Sequence, residues 1–303
     1  MRDGSGETIA DVLSVEEHGR LFNAYREDSY LLPNDGDEQD RLDLQHKMWL
    51  IMLDGHLSVA PIGEPASVLD IGTGTGIWAK QFARTHPTSQ VVGTDISLIQ
   101  TAVNLPPNVS FEREDSEDLW VFDHPFDYIH WRAMCTCFND FPGMIARIYQ
   151  HLTPDGWAEF HDFAFELVGE NEAAEILLRD SAVAELFRYA IAGGAAKGKD
   201  FESGRKLKGW MTGAGFVDIV QQQIFLPLNA WPLDRKDNLI GKWWSLDLLK
   251  ALDGLTKVIA TAGMPLEDIP GFLDRVRADI TNRDMRVYAI AYVVYGRKPA
   301  RSS

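Results

Sequence analysis

The sequence predicts an α/β fold, a doubly wound and mostly parallel sheet of seven strands with helices on both faces. Three observations carry this. Strand-like apolar runs alternate with helical spacing along most of the chain. A glycine-rich turn, Gly72-Thr-Gly-Thr-Gly76, joins the first of these strands to a helix. The next strand, residues 90–95, ends in Asp95, about 20 residues further on, where an acid faces a ligand held by such a turn.

Residues 1–60 read as a helical segment ahead of the sheet, and residues 61–303 as the sheet-bearing domain. Residues 15–25 carry apolar side chains at helical spacing, the stretch from Tyr30 to Gly36 breaks it with proline and glycine, and residues 38–57 start a second amphipathic helix. Residues 68–71 then form the end of a buried strand, with Asp70 among apolar neighbours, and helical spacing resumes over residues 77–83. Residues 108–115 and 126–132 are the third and fourth strands. A helix over 141–152 stops at Thr153-Pro-Asp-Gly156, and residues 157–163 make strand five.

Two helical insertions interrupt the alternation. The first, near 165–204, holds a helix over 172–189 and a Gly/Ala/Lys-rich loop over 193–199; the second spans about 229–285. Between them residues 205–212 and the turn at 213–217 lead into an extended strand over 216–228. The β-branched and aromatic run 286–296 is the last strand, entering as a hairpin beside strand six and supplying the one antiparallel member.

A dinucleotide loop would read G-x-G-x-x-G. Here the spacing is G-x-G-x-G, with Asp70 two residues before Gly72, and this resembles motif I of the class I S-adenosylmethionine-dependent methyltransferases. Leu152-Thr-Pro-Asp-Gly156 matches the same superfamily, and Asp40-Arg-Leu-Asp-Leu-Gln-His46, Phe126-Asp-Tyr-Ile-His-Trp-Arg132, Lys206-Leu-Lys-Gly-Trp-Met211 and Val293-Val-Tyr-Gly-Arg-Lys-Pro299 resemble the fungal LaeA-like branch over nearly the whole chain.

The resemblance implies a Rossmann-like core that binds S-adenosylmethionine and releases S-adenosylhomocysteine. Asp70, Gly72, Thr73, Gly74 and Gly76 form the cofactor turn, Asp95 and its neighbour Ile96 face the ribose, and Asp115 with Ser116 meet the adenine. The N-terminal helices form a lid, in which Tyr30 and Arg41 face the cofactor. Arg41 then meets the methionine carboxylate, or else sits on an exposed helix face in ion pairs within the helix. Strand four ends at His130, Trp131 and Arg132, which are placed beside the methionine half.

Composition narrows the partners. With 45% hydrophobic residues in 303, a large core is available, and a net charge of −16 without clustered Lys and Arg excludes a standing nucleic-acid surface. A small-molecule partner is the expectation. The two cysteines, Cys135 and Cys137, are too few for a disulfide framework or a structural zinc and fit a reducing compartment. The first residues lack an apolar signal-peptide core, no apolar run approaches the ~20 residues of a membrane span, and the short basic run at 296–301 reads as a solvated end. The expected location is cytoplasmic, or nuclear for a regulatory protein.

Methyl transfer from a sulfonium needs alignment and exclusion of water, worth up to about 7–11 kcal/mol, before it needs a base. A carboxylate acceptor needs none, whereas a phenol, alcohol or amide gains roughly 10²–10⁴ from one. His161 is the first candidate base, the other reading being a bond to the backbone of the first insertion, and His130 is the second; His18, His46, His56, His86, His124 and His151 have no evident partner. No metal site is expected. The N-terminal lid and the two insertions are expected to build an acceptor pocket suited to an aromatic, polyketide or terpenoid molecule; the rings Trp231, Trp243, Trp244, Phe187 and Tyr189, at helical spacing, are more often core than wall, with some of them expected to line it. The function expected is O-methylation in secondary metabolism. The alternatives are a non-catalytic regulator or a non-methylating enzyme, such as a pericyclase, on the same fold.

Overall fold

The computed structural model describes residues 14–24, 31–101 and 103–300. Its seven-stranded sheet comprises β3 (Ser67–Ile71), β4 (Gln90–Asp95), β5 (Val109–Arg113), β6 (Phe126–Arg132), β7 (Leu152–Gly169), β8 (Val217–Pro227) and β9 (Val287–Arg297), in the spatial order β5-β4-β3-β6-β7-β9-β8. Pairings from β5 across to β7 are parallel, and β9 runs antiparallel to both neighbours, as the pattern predicts. The central strands bury both faces, so Val68, Leu69 and Ile71 of β3 are all fully buried and read as a continuous apolar run.

The first elements differ from expectation. Residues 15–25 do not form a helix; β1 (Ser14–Glu17) and β2 (Arg20–Asn23) make an antiparallel hairpin. His18 and Gly19 both have positive φ, 53° and 75°, the pair of values a tight two-residue hairpin turn requires, and this local turn overrides the weak helical spacing. Arg20 bridges Asp35 at 2.7 Å, and Asp35 also caps α1 (Gly36–Met52) by accepting from the Glu38 N–H at 3.0 Å.

The helices α2 (Ile77–Thr85) and α3 (Phe141–His151) cover the parallel half of the sheet. The first insertion contains two helices, α4 (Glu172–Arg179) and α5 (Ala182–Ala196), where one over 172–189 was expected. Ser181 divides them, its hydroxyl donating to the Leu178 carbonyl at 2.7 Å and accepting from the Ala184 N–H at 3.1 Å. Then come α6 (Leu207–Ala214) and, after β8, α7 (Arg235–Ala251), α8 (Thr256–Thr261) and α9 (Ile269–Thr281).

One apolar core joins the N-terminal helix to both insertions. Met48, Trp49 and Met52 of α1 pack in the same cluster as Phe163 of β7, Phe187 of α5, Trp244 of α7, Phe272 of α9 and Val293 of β9. This packing holds α1 across the carboxyl ends of the strands. No helix among the described residues is long and apolar enough to cross a membrane.

Gly193 and Gly194, expected in a loop, lie within α5 at positions where neighbours leave room only for glycine: a Cβ at Gly193 would overlap the Val258 carbonyl of α8, and one at Gly194 would stand 2.7 Å from the Phe201 ring. Gly193→Ala is therefore expected to lower stability by about 1–3 kcal/mol through overpacking. Gly209→Ala, in α6 with nothing within 4 Å of the added carbon, should raise it by roughly 0.5–1 kcal/mol. Denaturant midpoints of the two variants check the pair, and equal shifts would refute the packing account.

Candidate functional site

A cleft opens at the carboxyl ends of β3, β4, β5 and β6 beneath α1. Its floor is the glycine turn. Gly72, Gly74 and Gly76 have φ of 62°, 57° and 74°, values that side-chain-bearing residues avoid. A Cβ on Gly72 would run into the Met134 thioether, and one on Gly74 would stand 3.4 Å from Leu42 of α1, so side chains here would fill the cradle. Thr73 donates its hydroxyl to Asp70 at 2.6 Å, and Thr75 donates to Asp43 of α1 at 2.6 Å, which ties the helix to the turn.

The predicted acids reach the same cleft. Asp95 accepts the Gly74 N–H and the Ser97 N–H, both at 2.9 Å, with Ile96 beside it. Asp115, at the end of β5, accepts the Glu117 N–H at 2.9 Å, and Ser116 lines the wall next to it. Burial pushes Asp70 up to about 7 and Asp95 up to about 6.

Strand alternation separates the three residues at the end of β6. His130 and Arg132 face the cleft, whereas Trp131 points to the opposite face, fully buried and stacked on Phe160 with ring centroids 3.8 Å apart. Trp131 therefore does not line the cleft with His130 and Arg132, contrary to expectation. His130 is fully buried, stacks on Trp78 at 3.9 Å, and donates Nδ1–H to Asp70 Oδ1 at 2.8 Å. Its Nε2 has no partner among the described residues. Burial, chiefly, and the neighbouring His161 and Arg132 hold its pKa well below the ordinary range, so the ring is neutral.

His161 lies midway along β7, which runs on to Gly169 instead of ending near residue 163 as expected, and it does not line the cleft. Its Nε2–H donates to Glu159 at 2.6 Å, and its Nδ1 accepts from Arg132 Nε and Nη2 at 3.4 and 3.3 Å. Both ring nitrogens are thus committed. Glu159, fully buried, also accepts the Val59 and Ala60 N–H groups at 2.9 Å and the Tyr128 hydroxyl at 3.0 Å. Desolvation alone would raise its pKa; the His161 bond and the backbone donors outweigh this and hold it below the ordinary value.

Arg41 does not face the cleft. Its guanidinium grips Glu38 at 2.8 and 2.6 Å and Asp247 of α7 at 2.8 Å, a buried brace between two helices rather than an exposed pair. Trp244 and Phe187 of the insertions belong to the apolar core, Trp243 and Tyr189 to its edge, and Trp231 packs on Tyr288; none of them lines the cleft. Tyr30 lies outside the described residues.

His46 and Glu159 escaped the sequence reading. His46 lines the cleft, donates Nε2–H to Gln81 at 2.7 Å and accepts Arg132 Nη1–H on Nδ1 at 3.0 Å. Burial, with help from Arg132, pulls its pKa down to about 4. The period of two that places Glu159 on the same face as His161 was the available signal for the carboxylate; only tertiary contact reveals His46. Among the described residues no cluster of three or more His, Cys, Asp or Glu has a metal-holding arrangement.

The family model described as "Methyltransferase domain" matches residues 44–222. The chain is 32% identical to methyltransferase pytC of Aspergillus terreus over 287 residues, covering 93% of this chain and 87% of that protein. It is 32% identical to the secondary metabolism regulator laeA of Aspergillus flavus over 293 residues, with 94% and 78% of the two chains covered. It is also 30% identical over 298 residues to the protein-methionine methyltransferase laeA of Emericella nidulans, with 94% and 77% covered. The chain belongs to the LaeA-like class I S-adenosylmethionine-dependent methyltransferases. The cleft of this methyltransferase fits that cofactor: Gly72 and Gly74 line the cradle where side chains would intrude, Gly76 packs against the Phe111 ring outside the lining, and carboxylates stand at successive strand ends along the cleft.

Asp70 sets a pH dependence in the ligand-free methyltransferase. Its pKa is about 7 in the fold against the ordinary 3.8, so the native state binds the proton more tightly and ionisation costs stability as pH rises between those values. Asp70→Asn keeps an oxygen for His130 and removes the charge. It should exceed wild type in stability above pH 7 by on the order of a few kcal/mol, and the gain should vanish below pH ~4. Denaturation at both ends of the range tests this; a pH-independent difference would refute titration of Asp70 in this window.

Proposed function

We propose that this methyltransferase transfers the methyl group of S-adenosylmethionine to an oxygen of a small aromatic, polyketide or terpenoid acceptor in secondary metabolism. In this reading Gly72, Gly74 and Gly76 cradle the methionine half, with Asp70 and Thr73 shaping the turn. Asp95 and Ile96 take the ribose, and Asp115 with Ser116 takes the adenine. Residues 1–60 serve as a lid, α1 closing the cleft against water. The cofactor supplies an already activated methyl group, so the chain's own task is to align the acceptor oxygen and take its proton.

The observation that carries the reading is His130. It is a neutral imidazole whose tautomer is set by Asp70 and whose Nε2 lone pair is buried, unpartnered among the described residues, on a ring lining the cleft beside the glycine turn. That lone pair accepts the proton of a hydroxyl acceptor, and Asp70 stabilises the imidazolium that results. His161 has no free nitrogen for this role, so the base moves from His161 to His130. His130→Ala is expected to lower kcat by roughly 10²–10⁴ while leaving S-adenosylhomocysteine affinity within about twofold. The assay follows labelled methyl groups into a panel of phenolic acceptors. A parallel loss of affinity would make His130 a cofactor ligand and remove the base.

Met134 supports a second reading. Its thioether lies against Gly72 in the cleft, and one relative is named a protein-methionine methyltransferase. Here the sulfur lone pair forms the new S–CH₃ bond, the sulfonium of the cofactor becomes the neutral thioether of S-adenosylhomocysteine, and a methionine sulfonium remains on the protein. Incubation with labelled S-adenosylmethionine followed by peptide mass spectrometry should then find label on Met134, lost in Met134→Leu. Unlabelled protein with labelled small-molecule product eliminates this reading.

A further inference from the structure

Six acids line the cleft among the described residues, Glu38, Asp70, Asp95, Glu114, Asp115 and Glu117, against a single Lys or Arg side chain, Arg132. An amino-acid carboxylate entering such a site is repelled unless that one cation receives it. The guanidinium is half-buried, stands over the Trp49 ring at 5.5 Å, and has no carboxylate bonded to it among the described residues. Three of its N–H groups go instead to two imidazoles, His161 through Nε and Nη2 and His46 through Nη1. Both rings use the other nitrogen as a donor, to Glu159 and to Gln81, so both present a lone pair to the arginine and carry no charge. A guanidinium has five N–H groups. Three are taken, which leaves one on each terminal nitrogen, the pair that a carboxylate accepts in a bidentate fork.

We propose that Arg132 is the receptor for the carboxylate of the cofactor's methionine tail, and that Glu159, His161 and His46 are positioning residues that hold its fork without neutralising it. This rests on the cofactor reading above. The arrangement answers a specific problem. A carboxylate bonded directly to Arg132 would fix the side chain but cancel its charge, whereas His161 stands between Glu159 and Arg132 and passes on geometry without the anion. Burial draws the arginine down to about 10, still cationic at neutral pH. Arg41, the other candidate for the carboxylate, is spent on Glu38 and Asp247.

The test is calorimetry with S-adenosylhomocysteine and with its decarboxylated analogue, 5′-S-(3-aminopropyl)-5′-thioadenosine. Wild type should prefer S-adenosylhomocysteine by at least about tenfold, the effect of losing one charge-assisted contact. Arg132→Gln should bind the analogue as wild type does, which also reports a folded cleft, and lose the preference. His161→Asn, whose side-chain oxygen can replace the accepting Nδ1, should keep most of the preference, and His161→Leu should lose it. A wild type that binds both ligands equally overturns the proposal without any variant, as does an Arg132→Gln protein that retains the preference. Equal preference in His161→Asn and His161→Leu overturns the positioning role. Wild type binding neither ligand would sink the cofactor reading itself, a different failure.

Discussion

The Glu159 carboxylate is the constraint on which this site depends. It is fully buried beside the centre of the sheet, where an unpaired carboxylate would cost several kcal/mol, so donors must converge on it. They come from three parts of the chain: the Val59 and Ala60 amides in the connection after α1, the Tyr128 hydroxyl on β6, and the His161 ring on β7. Meeting the needs of one buried charge thus fixes where the N-terminal segment enters the sheet. It also fixes the tautomer of His161, and through it the orientation of Arg132 and the contact with His46 on α1. Polar contacts lead without a break from the middle of the sheet to the helix over the cleft.

Around this chain the charges are sorted by role. Arg41 and Asp247 are a buried brace: the pair joins α1 to α7, and its cation is spent on Glu38 and Asp247. Arg132 sits among neutral partners and keeps its charge for the cleft. Asp70 is shared between Thr73 and His130, which couples the glycine turn to the imidazole that lines the cleft. Asp95 is held by backbone amides from the turn and from its own strand end. Each group has a partner that sets its geometry, and the groups differ in whether that partner also cancels the charge.

The cofactor turn and its acids were legible because they depend on local sequence. Positive φ at Gly72, Gly74 and Gly76 and carboxylates at the ends of successive strands are properties of a strand–turn–helix unit, and all of those residues except Gly76 reach the one cleft. Trp131 was also decidable in principle, since the period of two sends it away from His130 and Arg132. The hairpin over Ser14–Asn23 was harder, because a short segment with mixed spacing is settled by its turn, and His18-Gly19 carried that signal. The choice between Arg41 and Arg132 was not legible at all. Both lie in motifs of the resemblance, and only the positions of Glu38, Asp247, His46 and His161 show which guanidinium is spent.

By itself, then, the sequence determined the order and type of the core elements, the parallel sheet with its one antiparallel strand, and the family, because apolar period, turn chemistry and glycine spacing act over a few residues. The tertiary structure alone decided which polar side chains are satisfied inside the protein and which remain available to a ligand. It moved Phe187 and Trp244 into the core with α1, committed both ring nitrogens of His161, and left His130 Nε2 unpartnered in the cleft lining among the described residues. The physical reason is that a buried donor or acceptor takes whatever partner the packing brings within about 3 Å, and those partners here come from elements up to 206 residues apart in the chain.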